Sequence, residues 1–235
     1  MPIDHVTVRV ADLAASRAFY TLALVDPTAE DDNFLEWDDF SLVPDLAITR
    51  RLHVAFGVPT RAAVDAWWRR LVDGGYESDG EPGLRPQYHP SYYGAFVRDP
   101  DGNSVEAVNH AASREGIDHL WFRTRDVAAA KRFYETIAPV VGLELRHDTP
   151  ERVSFGAGGG SFSFVRGDEP TENVHLAFGA ADRATVERFH EVAVGAGFRS
   201  NGEPGERPHY HPGYYGAYVL DPGGHNVEAV FHDRR

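Results

Sequence analysis

The chain contains no cysteine and a single methionine among its 235 residues. The absence of cysteine excludes a disulfide framework, a thiol nucleophile and thiolate metal ligands. No apolar run approaches the roughly 18 residues that a membrane-spanning helix needs. The opening segment, MPIDHVTVRV, lacks the basic stretch that precedes the apolar part of a secretory signal. We therefore expect a cytoplasmic protein.

Basic side chains are also scarce. Lys and Arg number 23 against 36 Asp and Glu, which gives a formal net charge of −13. Such a charge repels phosphate backbones and anionic lipids, so we expect neither nucleic acid nor a membrane as a partner. The share of hydrophobic residues, 42%, is that of an ordinary globular protein. A small-molecule substrate is the partner that we expect.

Two copies of one pattern fill the chain. His5 to His53 spans 48 positions and His119 to His175 spans 56, so the second copy carries eight extra residues there. We expect these residues within 142–173, where they would lengthen strands and not a helix. A small polar stretch at 111–116 separates the modules, which we place at 1–112 and 117–235. The matched segments are IDH at 3–5 and 117–119, FY at 19–20 and 133–134, HVAFG at 53–57 with HLAFG at 175–179, GEPGLRPQYHPSYYGAF at 80–96 with GEPGERPHYHPGYYGAY at 202–218, and VEAV at 105–108 and 227–230.

Each half of a copy has the pattern of a strand, a helix and about three strands. Residues 3–10 alternate between apolar and polar side chains, as in a half-buried strand. Asp12 and Thr60 are typical residues to cap the helices that follow them. The chain therefore predicts four βαβββ units in an α+β fold. In the first copy we expect helices at 13–24 and 61–74, two or three short strands within 33–50, and strands at 3–10, 53–58, 76–78, 92–98 and 104–109.

This arrangement resembles the vicinal oxygen chelate superfamily, which includes glyoxalase I, extradiol dioxygenases, fosfomycin-resistance proteins and bleomycin-binding proteins. The resemblance rests on IDHVTVRVADLAASRAFY and FVRDPDGNSVEAV in the first copy, and on IDHLWFRTRDVAAAKRFY and YVLDPGGHNVEAV in the second. It covers nearly the whole chain and implies two tandem modules with cupped mixed β-sheets. It also implies metal ligands on the first, fifth and eighth strands. Taken copy by copy, these are His5, His53 and Glu106, and then His119, His175 and Glu228.

Two imidazoles and a carboxylate are ligands that suit a divalent first-row metal ion. Three protein ligands leave coordination positions open for substrate and oxygen. Fe(II) or Mn(II) is the favoured cofactor, with Zn(II) and Ni(II) as alternatives. The competing interpretation is that these histidines are hydrogen-bonded residues on a polar face.

The resemblance to glyoxalase I implies a fourth ligand, a carboxylate on the fourth strand. The matching stretches, 46–50 and 161–165, contain neither Asp nor Glu. The extradiol dioxygenase signature is closer, because the second copy has His211, Tyr218 and the closing Glu228 at its positions. By that resemblance, Tyr218 would hydrogen-bond a substrate oxygen and His211 would act as an acid or base. Phe96 stands at the tyrosine position of the first copy.

Further substrate contacts are predicted around the first strand and the proline-rich loop of the second copy. Arg123 shares a strand face with His119 and is expected either to bind a substrate carboxylate or to pair with a structural acid. Trp121 on the same face would stack on a planar substrate, whereas the first copy has Thr7 there. Tyr210 and Tyr215 are the aromatic candidates in the loop.

Three functions remain open from the sequence. The leading one is a metal-dependent enzyme of the extradiol dioxygenase type, with the second copy as the working cleft. The alternatives are a metal-dependent lyase, isomerase or transferase, and a metal-free drug-binding module. We expect the two modules to pack as an intramolecular pseudo-dimer, in a monomer or a homodimer.

Overall fold

The computed structural model describes residues 3–111, 113, 115–157 and 160–233. Residue 112, where we place the end of the first module, and the outer ends of both modules lie outside this part of the chain. The module limits 1–112 and 117–235 therefore stay a prediction. Within the described residues, no helix is long and apolar enough to span a membrane.

Each copy of the repeat folds as two successive βαβββ units, which confirms the predicted α+β fold. The first copy contains β1 (Ile3–Val10), α1 (Leu13–Leu24), β2 (Ala29–Asp31), β3 (Phe34–Trp37), β4 (Phe40–Pro44), β5 (His53–Gly57), α2 (Arg61–Asp73), β6 (Ser78–Leu84), β7 (Tyr93–Arg98) and β8 (Ser104–Asn109). The second copy contains β9 (Ile117–Thr124), α3 (Val127–Val141), β10 (Glu144–Thr149), β11 (Arg152–Ala157), β12 (Gly160–Arg166), β13 (His175–Gly179), α4 (Arg183–Gly195), β14 (Arg199–Glu206), β15 (Tyr214–Leu220) and β16 (Asn226–His232).

The helices begin at the predicted caps. The Asp12 carboxylate accepts a hydrogen bond from the Ala15 backbone N–H at 3.0 Å, and Thr60 Oγ1 accepts one from the Ala63 N–H at 3.0 Å. Each cap satisfies a backbone N–H that has no partner within its own helix.

The strands form two eight-stranded mixed sheets. One has the order β14-β15-β16-β13-β1-β4-β3-β2, and the other has the order β10-β11-β12-β9-β5-β8-β7-β6. Strand β1 therefore lies beside β13, and β9 lies beside β5. The first strand of each copy is thus the neighbour of the fifth strand of the other copy.

The compact units of the fold follow this strand order and not the copies. Unit 1 combines the chain up to Val6 with the chain from Arg123 onward, and unit 2 comprises Thr7–Phe122. The opening residues of β1 thus belong with the second copy, and most of β9 belongs with the first. His5 lies in unit 1, whereas His119 and Trp121 lie in unit 2.

In each unit a buried tyrosine of the first helix organises an aromatic core. The ring of Tyr134 lies 4.9 Å from the rings of both Phe162 and Phe164. Its hydroxyl donates a hydrogen bond to Asp221 Oδ2 at 3.2 Å, and burial followed by the Asp221 charge raises the pKa of Tyr134. Tyr20 makes the same bond to Asp99 at 3.0 Å in unit 2. The FY motif and the Asp of the Asp-Pro turn are therefore bonded parts of the scaffold.

In the second copy, which has eight extra residues, three strands and one helix are longer than in the first copy. Strands β10, β11 and β12 have 6, 6 and 7 residues, where β2, β3 and β4 have 3, 4 and 5. Helix α3 has 15 residues against 12 in α1, so the expectation that no helix takes extra length is wrong. The helix continues to Gly142, whose left-handed backbone (φ 71°) ends it.

Strand β6 is longer than the sequence predicts. The pattern indicates a strand near 76–78, but β6 runs through the Gly-Glu-Pro-Gly segment to Leu84. It is the last strand of its sheet, and its pairing with β7 shifts register at Gly80 and Gly83. Proline and bulged glycine are tolerated there because an edge strand has one unpaired side.

Candidate metal centres

The six predicted metal ligands come together in two groups of three, but not in the groups that the two copies predict. Centre 1, in unit 1, consists of His5, His175 and Glu228, and centre 2, in unit 2, consists of His53, Glu106 and His119. The grouping by copy is therefore wrong for His5 and His119, which exchange places. The reason is the strand order, since β1 lies beside β13 and β9 lies beside β5.

Small residues separate the ligands on the sheet. In centre 2, Ala55 is the register partner of both Glu106 on β8 and His119 on β9. His53 lies two residues before Ala55 and so projects from the same face of β5. Ala177 has the same place opposite Glu228 in centre 1. These short side chains leave room for an ion among the three donors.

The donor atoms have the spacing that one metal ion requires. In centre 1, His175 Nε2 lies 3.1 Å from both His5 Nε2 and Glu228 Oε2, and His5 Nε2 lies 3.8 Å from Oε2. In centre 2, His53 Nε2 lies 3.3 Å from His119 Nε2 and 3.0 Å from Glu106 Oε2, and His119 Nε2 lies 3.5 Å from Oε2. Donors held at about 2.1 Å from one ion are about 3.0 Å apart at right angles and about 3.4 Å apart at the tetrahedral angle. The donor sets therefore fit a divalent ion.

The other ring nitrogen of each histidine is held by a polar neighbour. The carboxylates of Asp4 and Asp118 accept from Nδ1 of the histidine that follows each of them, at 2.8 and 2.9 Å. The Asn226 amide lies 2.8 Å from His175 Nδ1, and Ser104 Oγ lies 3.2 Å from His53 Nδ1. The aspartate and serine oxygens can accept from Nδ1–H, which fixes the rings of His5, His119 and His53 and leaves Nε2 toward the ion.

Each ligand carboxylate is also held by a buried phenol, which the sequence analysis missed. Tyr214 donates to Glu228 Oε1 at 2.8 Å, and Tyr92 donates to Glu106 Oε1 at 2.7 Å. The second carboxylate oxygen, Oε2, is the one that faces the two histidines. A Cβ on Gly216 would collide with Glu228 Oε1, so glycine is needed there. The available signal was the Tyr-Tyr-Gly segment retained in both copies.

Burial adjusts the charge of these groups. Burial lowers the pKa of His53, and this outweighs the opposing effect of Glu106, so the neutral, metal-binding form is favoured. Burial would raise the pKa of Asp118, but the hydrogen bonds from His110 and His119 outweigh it and lower that pKa to about 2. Asp118 therefore stays ionised beside His119.

His211 is connected to centre 1 through two intervening side chains. Its Nε2 lies 2.9 Å from His232 Nδ1, and His232 Nε2 lies 3.2 Å from Asp4 Oδ1. Asp4 in turn holds His5. In the first copy, the Nδ1 of the matching His89 lies 2.9 Å from Ser91 Oγ. The predicted acid or base role of His211 stays a prediction.

Tyr218 lies beside His175 of centre 1. Its ring centroid is 6.2 Å from that of His175, and its hydroxyl is buried without a hydrogen-bond partner among the described residues. Burial, followed by the charge of Glu228, raises the pKa of Tyr218, so the phenol stays protonated. Phe96 takes the same place in centre 2, 5.8 Å from the His53 ring. Centre 1 thus has a hydrogen-bond donor that centre 2 lacks.

The other predicted substrate contacts are divided between the units. Trp121 lies in unit 2, where it pairs with His53 across the strands and its ring is 6.0 Å from that of Tyr88. It therefore belongs with centre 2 and not with Tyr218. Tyr210 is exposed, with its ring 4.8 Å from that of Tyr214 in unit 1. Their roles toward a substrate stay predictions.

The arginine and tyrosine candidates that remain have structural neighbours. Tyr215 donates to Glu187 at 3.1 Å and lies under the Arg183 guanidinium, at 5.0 Å. Arg123 is exposed on β9, four residues after His119, and its role toward a substrate stays a prediction. Its counterpart Arg9 forms an ion pair with Asp45 at 3.0 Å.

A fourth carboxylate ligand is absent from the fourth strands. The fourth strand of the first copy is β4, Phe40–Pro44, and not the stretch 46–50 that the sequence alignment selects. Its counterpart is β12, Gly160–Arg166. Neither strand contains Asp or Glu, so each centre has three protein ligands among the described residues.

The model of the Glyoxalase/Bleomycin resistance protein/Dioxygenase superfamily matches residues 2–107 and 116–229. The chain therefore belongs to that superfamily, as the sequence motifs predict. Among solved structures, a V278E variant of glyoxalase I from Zea mays superposes with a TM-score of 0.74 at 20% identity, covering 98% of this chain and 92% of the maize chain. The "putative dioxygenase" of Bacillus subtilis subsp. subtilis str. 168 superposes with a TM-score of 0.70 at 15% identity, covering 99% and 86%. These likenesses show a shared fold. No curated protein sequence matches the chain.

Proposed function

We propose that the protein is a metal-dependent enzyme of the extradiol dioxygenase type, with Fe(II) or Mn(II) bound at centre 1. Two histidines and one carboxylate on one face are the ligand set of non-haem Fe(II) oxygenases. The observation that carries the proposal is this three-donor face beside the buried hydroxyl of Tyr218, which has no hydrogen-bond partner within 3.5 Å among the described residues. A buried hydroxyl without a partner is costly unless a ligand completes it.

The protein groups would divide the work as follows. His5, His175 and Glu228 would hold the ion, which supplies positive charge to two neighbouring oxygens of a small substrate. The Tyr218 phenol would donate a hydrogen bond to one of those oxygens, because its raised pKa keeps it protonated. Tyr214 would keep Glu228 Oε1 occupied, so that Oε2 alone is offered to the ion.

The absence of a fourth ligand carboxylate on β4 and β12 favours this reaction class over the glyoxalase reaction. Metal content and oxygen uptake test the proposal. We expect gently purified protein to contain a divalent metal and to consume oxygen with at least one member of a catechol panel. In a Glu106→Ala background, which leaves centre 1 as the one complete centre, Glu228→Ala should lose both properties.

Replacement of an exposed carboxylate, Glu187→Ala, is the matched control and should change neither property. Protein without metal would favour the drug-binding alternative. Metal-loaded protein that takes up no oxygen but converts a dicarbonyl or an epoxide would favour the lyase, isomerase or transferase alternative.

A further inference from the structure

The Gly-Glu-Pro-Gly-x-Arg-Pro segment is retained in both copies and has no role in the proposed metal binding. Its arginine, Arg207 in unit 1 and Arg85 in unit 2, is half-buried and folds back on its own loop. Arg207 donates from Nη2 to the Glu203 carbonyl oxygen at 2.7 Å and from Nη1 to the Glu206 carbonyl oxygen at 3.1 Å. Arg85 donates to the matching carbonyls of Glu81 and Leu84 at 2.7 and 3.4 Å.

These bonds orient the guanidinium without neutralising it. No carboxylate of the described residues lies within 4.0 Å of the Arg207 or Arg85 guanidinium. The nearest acids in sequence are otherwise engaged, since Glu206 pairs with Arg183 and the Glu203 carboxylate lies 3.7 Å from His190. A guanidinium has five N–H donors, so donors and a full positive charge remain available.

Both guanidinium groups lie on the aromatic wall of a metal centre. The Arg207 carbon Cζ is 5.4 Å from the centroid of the Tyr218 ring, which is itself a neighbour of His175. Arg85 Cζ is 5.5 Å from the Phe96 ring, which neighbours His53 in the same way. A single ring thus separates each charge from a metal ligand.

The glycine before each arginine maintains this arrangement. A Cβ on Gly205 or on Gly83 would lie 2.8 Å from Nη1 of the arginine two residues later. The segment therefore fixes the position of one charge in a chain whose net charge is −13.

We propose that Arg207 at centre 1, and Arg85 at centre 2, bind a carboxylate of the substrate at the end opposite to its two chelating oxygens. A carboxylate matches the fork of a guanidinium and supplies the charge that the loop carbonyls lack. This inference rests on the proposed function and adds to it that the substrate is an anion. Arg123 and Arg9, the arginines singled out by sequence, are not needed for it.

Catechol and 3,4-dihydroxybenzoate test this inference, because they share the chelating hydroxyls and differ by one carboxylate. The Glu106→Ala variant, which retains centre 1, is loaded with Zn(II) to prevent turnover, and both dissociation constants are measured by calorimetry. We expect 3,4-dihydroxybenzoate to bind about ten- to a hundredfold more tightly than catechol, as for a hydrogen-bonded ion pair. Adding Arg207→Gln should abolish this preference and leave catechol binding within about twofold.

Arg183→Gln is the matched control, because Arg183 also lies over a tyrosine ring but is paired with Glu206. It should retain the preference, and Arg207→Lys should retain part of it. A purely structural role for Arg207 would weaken both ligands equally. Equal affinities before substitution, or a preference that survives Arg207→Gln, would overturn the inference.

A second measurement does not depend on the metal. Metal-free protein with 15N-labelled arginine is titrated with benzoate, and the Nε–H resonances of Arg207 and Arg85 are assigned from their Gln variants. We expect both resonances to shift and that of Arg183 to stay. Unshifted Arg207 and Arg85 would overturn the inference, whereas failure of Zn(II) or catechol to bind would count against the proposed function alone.

Discussion

Centre 1 and centre 2 have the same ligands and different walls. In both, an aspartate holds one histidine, a buried tyrosine holds the glutamate, and a glycine gives that glutamate room. Around this common frame, centre 1 has Tyr218 where centre 2 has Phe96, and centre 2 has Trp121 on its own β9 strand. The ligand frame has been retained between the copies, while the aromatic side chains around it have diverged.

Tyr218 and Trp121 lie at different centres, although both come from the second copy. By copy, Tyr218 and Trp121 both belong to the second module and suggest one working cleft. In the structure they serve different centres, because β1 and β9 exchange places. Each centre therefore has one distinctive side chain. Centre 1 has the phenol hydroxyl of Tyr218 beside it, and centre 2 has the aromatic ring of Trp121.

The assignment of His5 to centre 1 and of His119 to centre 2 can be tested by single substitutions. In a Glu106→Ala background, which leaves one complete centre, we expect His119→Ala to keep one bound ion per chain. His5→Ala in the same background should remove it, since three donors become two. Elemental analysis after gel filtration measures the metal content. The grouping by copy predicts the opposite result for both variants.

Substitution of Tyr218 at centre 1 and of Phe96 at centre 2 tests whether the two centres differ in function. Loss of one hydrogen bond to a charged substrate oxygen costs about 1.5–3 kcal/mol, or roughly ten- to a hundredfold in rate. We expect Tyr218→Phe to slow turnover by that factor with the metal content unchanged, and Phe96→Tyr to change little. Initial rates of oxygen uptake, normalised to bound metal, measure the effect. Equal rates for wild type and Tyr218→Phe would make the phenol a wall residue only.

The tyrosines behind the glutamates should, in contrast, act alike in both centres. Tyr214→Phe and Tyr92→Phe each free Oε1 of a glutamate that is only 1% exposed. Loss of such a partner typically lowers metal affinity by about tenfold or somewhat more. Competition with a chromophoric chelator measures the affinity of each centre, with Tyr215→Phe as the control, because that phenol bonds Glu187 instead. A large loss of metal affinity in one centre only would show that the tyrosine–glutamate pairs of the two centres are not equivalent.

Much of this architecture was accessible from the sequence because its determinants are local. Alternation of apolar side chains predicted β1, and Asp12 and Thr60 predicted two helix starts, all of which the structure confirms. Repetition within the chain marked the histidines and glutamates that both copies retain, and the resemblance to the superfamily selected the six ligands among them. Strand β6 was harder, because Gly-Glu-Pro-Gly is typical of a turn and forms a strand only where a sheet edge supplies one partner.

Contacts made over long sequence distances were not accessible in the same way. The Tyr-Tyr-Gly segment was noted as a loop motif, but its hydrogen bond to a glutamate 14 residues later depends on the pairing of β15 with β16. The sequence around Arg207 likewise contains no charge pattern that distinguishes it from an ordinary surface arginine. Its role follows from the path of its own loop and the ring beneath it.

The sequence by itself determined the four βαβββ units, the identity of the six donor residues and the superfamily. Only the tertiary structure decided which three donors share a centre. Strands β1 and β9 begin with the same Ile-Asp-His and present the same histidine on the same face, so periodicity cannot distinguish their partners. The choice is made by hydrogen bonding between strand edges far apart in the chain, which places β1 against β13 and β9 against β5.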